Sequence, residues 1–463
     1  MKKKIKIYLD NLMNFIFTYF ERIVCSFLLL IFFVIIFVGI FKINVKAPVR
    51  SDAIGYFSYL PAIFTYKDLS FNFMIKQGQL LTDGKNEFTR IFNPSEVSSM
   101  YHKMEANKYL NKYGIGTAIL LIPFFLLGHL FSIIFGFEPN GWSYFYQYIC
   151  FWGGLVYFSL GIVILKNILL KYYSKKIVLL TIFAITFGTN LFNYATYENL
   201  FSHVYSFFLI NLLILLTLKW WNTQKIKYAI LIAVNAGLII LVRQFNIIFI
   251  LIPIIFDINS INSLKDRIIY LYRNLKLLII TILIFITTFL PQMIYWKYAT
   301  GKLLTFSYLG EGFNLIRPQL LEILIGVKRG LFFWSPTLIF ACLGLFLIKN
   351  KLKPFKFIFL LVLLIQIYLI SAWSCLEMGW SYGHRTFVDS MGLFAIGLAF
   401  FYSKIKHKRS MIIVLAVTLS FTFLSTFQTI QYWYKILPAY NVTLDYYRSI
   451  FLKFDLNLVN KWR

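Results

Sequence analysis

"IVCSFLLLIFFVIIFVGIFKINVKAPVRSDAIGYFSYLPAIF" runs from Ile23 to Phe64. The part from Ile23 to Phe41 carries no charge and is close to the roughly 20 residues that cross a bilayer. A carboxylate, Asp52, follows shortly after it, with Tyr56, Tyr59 and Pro61 close behind. An acid there can be a solvated loop residue, paired with Arg50 or capping a helix over "AIGYFSYLPAIF". It can also be a catalytic group waiting at the membrane surface. The rest of the chain has to decide between the two.

Apolar stretches of similar length recur along all 463 residues, which are 59% hydrophobic and 14% charged. Soluble domains carry nearer a quarter charged residues. The repetition excludes a single signal-peptide segment and defines an all-α polytopic membrane protein. The net charge of +28 does not point to nucleic acid. Lys and Arg concentrate in short segments between apolar runs, such as "MKKKIK", "KNILLKYYSKK", "LKDRIIYLYRNLK" and "KIKHKR". That is the pattern of cytoplasmic loops, and basic juxtamembrane segments meet anionic headgroups. Cys25, Cys150, Cys342 and Cys375 show no CxxC spacing, so no disulfide framework and no cysteine zinc site are expected.

The basic segments place the N-terminus inside and send 23–41 outward. Residues 42 to about 114 then form a long outer loop. The apolar run 115–135 carries Pro123 and His129 between weakly charged flanks. If it crossed, the run 144–166 would end its basic flank on the wrong side. It is therefore expected to be re-entrant or juxtamembrane. Ten further crossings follow, at 144–166, 176–192, 202–220, 227–242, 245–257, 275–295, 331–348, 355–372, 388–403 and 410–430. The total is about eleven transmembrane helices in one integral domain spanning 1–463. Residues 42–143 make an outer loop with juxtamembrane helices, and 431–463 make an outer tail.

This threading collects polar residues on the outer face: Asp52, Glu198, His203, Arg243, Lys297, Glu311, Arg329, Glu377, His384, Arg385 and Asp389. Charge at the edge of hydrocarbon is costly unless paired or solvated, so such residues mark candidate sites. Each also has a plain structural reading. Arg243 can be a snorkelling anchor. Glu198 and His203 lie five apart, which does not suit a helical metal pair, and His203 can serve a structural hydrogen bond. Trp373, Trp380 and Tyr382 can form an interfacial aromatic belt. Taken together on one face, the set suits a particular chemistry. A carboxylate can deprotonate an acceptor, arginines can hold a phosphate with their forks, aromatic loops can stack on a sugar, and apolar grooves can take a polyprenyl tail. These are the parts of glycosyl transfer from a lipid-phosphate sugar.

"SDAIGYFSYLPAIF", "NKYGIGTAILLIPFFLLGH", "YENLFSHVYSFFL" and "WSYGHRTFVD" resemble the GT-C superfamily of polytopic glycosyltransferases. The resemblance is to bacterial relatives of the protein O-mannosyltransferase and lipid A aminoarabinose transferase group, and it extends over residues 20 to 430. It implies an acidic residue in the first outer loop as catalytic base or metal-contacting carboxylate, and Asp52 holds that position. It also implies a polyprenyl-phosphate-linked sugar donor. "SDAIG" holds one acid where some members have two, so a divalent metal is the one cofactor in question and none is required by the pattern. The large soluble domain of oligosaccharyltransferases is absent, which argues against transfer to protein sequons.

The expected function is transfer, with inversion, to an envelope glycan, lipid or protein acceptor on the extracytoplasmic face of the cell membrane. Asp52 is the expected base. Arg243, Arg329, Arg385 and Lys297 are the expected phosphate ligands. Glu198, His203, Tyr56, Trp380 and His384 are expected to shape the substrate pocket. The competing reading is a lipid or polysaccharide transporter or flippase, which would carry repeats and mid-depth ionisable groups; no repeat is evident. A non-catalytic scaffold is a third reading.

Overall fold

The computed structural model describes residues 15, 17–43, 45–75, 99–349, 352–377, 379 and 381–458. Among them, eight helices are long and apolar enough to cross a membrane. In chain order the elements are α1 (Phe20–Ile40), α2 (Asp52–Phe57), α3 (Tyr59–Phe64), β1 (Tyr101–Lys103), β2 (Tyr109–Asn111), α4 (Gly116–Ile134), α5 (Tyr144–Leu169), α6 (Lys175–Phe187), α7 (Leu191–Thr196), α8 (Ser202–Thr223) and α9 (Ile226–Val242). A 3₁₀ turn (Gln244–Ile250) leads into α10 (Leu251–Ile255), α11 (Ile261–Arg273), α12 (Leu275–Thr300), α13 (Leu320–Ile325), α14 (Leu331–Trp334), α15 (Thr337–Leu347) and α16 (Lys353–Ser371). A second 3₁₀ turn (Arg385–Ser390) precedes α17 (Met391–Lys404), α18 (Lys408–Trp433) and α19 (Leu444–Ile450).

Several expected runs are divided where the sequence breaks them. The run 331–348 becomes α14 and α15 because Pro336 in "SP" has no backbone N–H to continue the helix. The run 176–192 stops at Phe187, with Gly188 following, and restarts as the short α7. The run 245–257 is a 3₁₀ turn followed by one turn of α-helix. The segment expected to be re-entrant is α4, a 19-residue helix with the length and composition of a span. The segment between α1 and α4 holds α2 and α3, both largely buried, and an antiparallel β-hairpin that pairs Tyr101 with Asn111. The sequence pattern did not reveal that hairpin.

Side-chain bonds fix the relative heights of the helices. Along α5, Tyr144 Oη donates to the Ile35 carbonyl at 3.0 Å, Trp152 Nε1 donates to Leu28 at 2.8 Å, and Lys166 pairs with Glu21. So α1 runs antiparallel to α5. Tyr157 Oη donates to Leu120 at 2.8 Å, Phe124 fills the space beside Gly153, and Ser132 meets Ser143. So α4 is also antiparallel to α5 and covers only its first half. Gly116, where α4 begins, touches the backbone of Leu241 and Val242 at the end of α9. Gln292 of α12 accepts from the Ile115 N–H at 2.8 Å. The starts of α4 and α8 and the ends of α9 and α16 therefore meet in one layer with the Arg385–Ser390 turn. Opposite that layer, the helix ends carry Lys166, Lys175, Lys219, Lys276, Lys353 and Lys404.

Candidate functional site

Asp52 is the first residue of α2. The turn that places it is made by Ser51 at φ +49°, a conformation seldom adopted by residues other than glycine. Such strain recurs at functional sites. The Asp52 Oδ2 atom lies 2.7 Å from Arg385 Nη1, and both side chains are largely buried. Arg50, the sequence neighbour that could have paired with Asp52, turns elsewhere. Its Nη2 donates to the Tyr197 carbonyl at 2.9 Å and its guanidinium lies 3.6 Å over the Tyr197 ring. Among the described residues, no carboxylate lies within 4 Å of Arg50.

Arg385 opens the 3₁₀ turn and stands 5.7 Å from the Phe201 ring centre. Asp389, one turn on, is fully buried and lies 3.1 Å from Arg243 Nη1. Arg243 also reaches His203 Nδ1 at 2.8 Å. The same nitrogen lies 3.2 Å from Asp389 Oδ1, so the three side chains form one cluster. Arg243 Nη1 is thus shared between His203 and Asp389, which ties the side chain into the layer rather than leaving it as a snorkelling anchor.

Tyrosines wall the Asp52 side. The Tyr56 hydroxyl accepts from Ser202 Oγ at 3.0 Å, and its ring centre lies 4.5 Å from that of Tyr113. Tyr308 stands edge-on to Tyr113 at 6.3 Å. Burial pushes the Tyr56 phenol up to about 12 and raises Tyr113 and Tyr308 well above the ordinary phenol range. All three are neutral hydroxyls that can hydrogen-bond to a sugar. Gly55 is required here because a Cβ would meet the Tyr113 ring at 2.2 Å.

A second cluster adjoins the first. Glu198 is buried; its Oε2 accepts from Asn193 Nδ2 at 2.7 Å and its Oε1 accepts from the Tyr432 hydroxyl at 3.1 Å. Burial raises its pKa. Arg329 is buried and donates to the carbonyls of Ala439 and Lys328, with Glu377 3.9 Å away. His384 is buried with neither ring nitrogen hydrogen-bonded. Burial, with the charges of Arg329, Arg385 and Arg243 around it, lowers its pKa to about 3, so the imidazole is neutral.

The structure thus brings together Asp52, Tyr56, His203, Arg243 and Arg385, with Glu198, Arg329 and His384 at the margin. It does not bring in Lys297, which is exposed and donates to the Gly301 carbonyl at 3.0 Å. Trp380 lies outside the described residues. Sequence reasoning placed Asp389 on the outer face without giving it a role, and did not assign Arg50, Tyr113 or Tyr308 to the site. Tyr113 was readable inside "NKYGIG", and Asp389 four residues after Arg385 in "RTFVD". Among the described residues, no three His, Cys, Asp or Glu side chains converge to hold a metal ion. The Asp52 carboxylate faces a guanidinium and phenols, and that donor set does not fit a divalent cation.

No family model matches the chain, and neither a curated protein nor a solved structure matches it.

Proposed function

We propose that the chain is an integral-membrane glycosyltransferase of GT-C type, taking its sugar from a polyprenyl-phosphate-linked donor on the extracytoplasmic face of the cell membrane. The acceptor is an envelope glycan, lipid or protein. The observation that carries the reading is the ion pair of Asp52 and Arg385, enclosed by neutral phenols where several helix ends meet. In the reaction, Asp52 takes the proton of the acceptor hydroxyl. The acceptor oxygen bonds to the anomeric carbon from the face opposite the phosphate. The bond from that carbon to the phosphate oxygen breaks, and its electron pair leaves on the polyprenyl phosphate. Arg385, Arg243 and Arg329 each lie within 4 Å of a carboxylate, while Arg50 is held by a carbonyl with the Glu198 charge acting on it from farther off, so Arg50 is the cation proposed to take the added negative charge.

The finer topology belongs to this reading. Seven of the long helices, excluding α4, supply seven crossings. The shorter apolar helices α6, α9 and α15 and the segment Gln244–Ile255 supply four more, making eleven. Helix α4 starts at the site layer and runs beside the first half of α5, which suits a juxtamembrane element of the outer loop. The charged groups of the site gather at helix ends, which favours an enzyme over a transporter.

The test uses purified protein in lipid with radiolabelled sugars on a panel of polyprenyl-phosphate donors, wild type beside Asp52→Asn. The expected result is turnover with one donor and a fall on the order of 10²–10⁴ in a folded Asp52→Asn protein. Equal turnover in the variant would remove Asp52 from the chemistry. Movement of an intact donor across the bilayer without transfer would establish the transporter instead.

A further inference from the structure

The chain from α12 to the end of α13 turns an apolar surface outward. Leu304, Ile316 and Leu321 are 67%, 91% and 74% exposed, and Phe306 and Leu309 are exposed beside them. A contiguous surface of this kind marks an interaction site. The segment is built rather than loose. The Asn314 N–H donates to the Ala372 carbonyl at 2.6 Å, Gln319 N–H to Ser371 at 2.8 Å, and Ser374 N–H to Gly312 at 2.8 Å. The Phe313 ring packs on Trp373 at 4.7 Å. Its inner edge reaches the site: Ser307 Oγ donates to the Lys112 carbonyl at 2.7 Å, Glu311 pairs with Lys112, and Tyr308 faces Tyr113.

What covers the outer surface is indicated by α12. Ile279, Leu283, Ile286, Ile294 and Tyr298 are exposed along that helix, which is a candidate span with little of it buried. Its 26 residues extend about 39 Å at 1.5 Å each. That carries it across a hydrocarbon core of about 30 Å and into the headgroup region. Gly301, at φ +78°, turns the chain at the end of α12, and the apolar surface resumes at once with Leu303 and Leu304. The segment is therefore a continuation of a lipid-facing surface at the level of an interface. Lys302 and Arg317 are both exposed and can meet lipid phosphates there.

We propose that residues 303–325 insert into the bilayer interface as a platform seated in phospholipid, with Tyr308 and Glu311 forming the edge that faces the Asp52 site. The platform stands whether or not the site transfers sugar. The test is photolabelling of the wild-type full chain in nanodiscs of phosphatidylcholine and phosphatidylglycerol containing a diazirine phospholipid, with labelled peptides mapped by mass spectrometry. Peptides from 303–325 are expected to label as strongly as those from 279–298. Labelling confined to 279–298, or crosslinks from 303–325 to a second copy of the chain in place of lipid, would overturn the proposal. A folded Leu304→Asp/Ile316→Asp double variant provides the second arm. It is expected to lose label in 303–325 and keep it in 279–298; full retention at both counts against insertion.

Discussion

The carboxylate of Asp52 lies 2.7 Å from the guanidinium of Arg385, joining the start of α2 to the turn that opens α17. Neither charge is well solvated, so removing one leaves the other buried without a partner, which is strongly destabilising. Asp52→Asn and Arg385→Gln should therefore each lower the thermal midpoint, while the double variant should lose less than the sum. A double-mutant cycle should return a coupling of roughly 0.5–3 kcal/mol. Additive losses would mean that the two groups do not depend on one another in solution.

Arg50 is held by the Tyr197 carbonyl and ring, and among the described residues no carboxylate lies within 4 Å of it. If it receives the donor phosphate, Arg50→Gln should raise the donor KM with a smaller change in kcat. Arg50→Lys should recover little, because lysine lacks the planar fork that both stacks and bonds in two places. Lys297→Gln should leave both constants unchanged, since Lys297 is exposed and bonds only to the nearby Gly301 carbonyl. A Michaelis series over donor concentration separates these outcomes.

The sequence revealed class more readily than pairing. Apolar run length alone identified α1, α5, α8, α12, α16, α17 and α18, because a bilayer demands that length. Breaks at Pro336 and Gly188 were visible as residues but not as interruptions, since hydropathy smooths over a single turn. The first-loop acid and its ring of arginines stood out because charge is rare in such a composition. Their partners did not. Arg50 is the nearer cation to Asp52 in sequence, yet the chosen one is Arg385, and nothing local encodes that choice. Lys297 looked like a site cation but answers to a local rule: a lysine in the last turn of a helix reaches the carbonyl of the glycine that ends it.

His384 gives the pH prediction. Burial and its cationic neighbours lower its pKa from 6.5 to about 3, so the folded chain keeps the imidazole neutral where the unfolded chain takes up a proton. For a group depressed on folding, stability is complete above the unfolded value and is lost as pH falls toward the folded one. At pH 5 the loss should be about 2 kcal/mol. Melts of wild type and His384→Gln at pH 7.5 and pH 5 should show the wild type falling further. Parallel falls would place His384 in a wetter setting than its burial indicates.

The tightest helix contact lies between α15 and α17, where a Cβ on Gly344 would sit 1.8 Å from the Gly397 carbonyl oxygen and one on Gly397 would sit 2.3 Å from that of Ala341. The obstructing atoms are backbone, so no rotamer change relieves them. Small residues at such crossings let membrane helices approach closely. Gly344→Ala and Gly397→Ala should each cost about 1–3 kcal/mol through forced separation of the two helices. Because Asp389 and Arg385 precede α17 directly, the shift should also loosen the Arg243–Asp389 contact and lower any activity the site carries. Gly310→Ala supplies the contrast: it lies in open space at φ +83°, so it should show only a backbone penalty of about 1 kcal/mol. Equal midpoints for Gly344→Ala and wild type in detergent and in nanodiscs would show that α15 and α17 do not pack this closely.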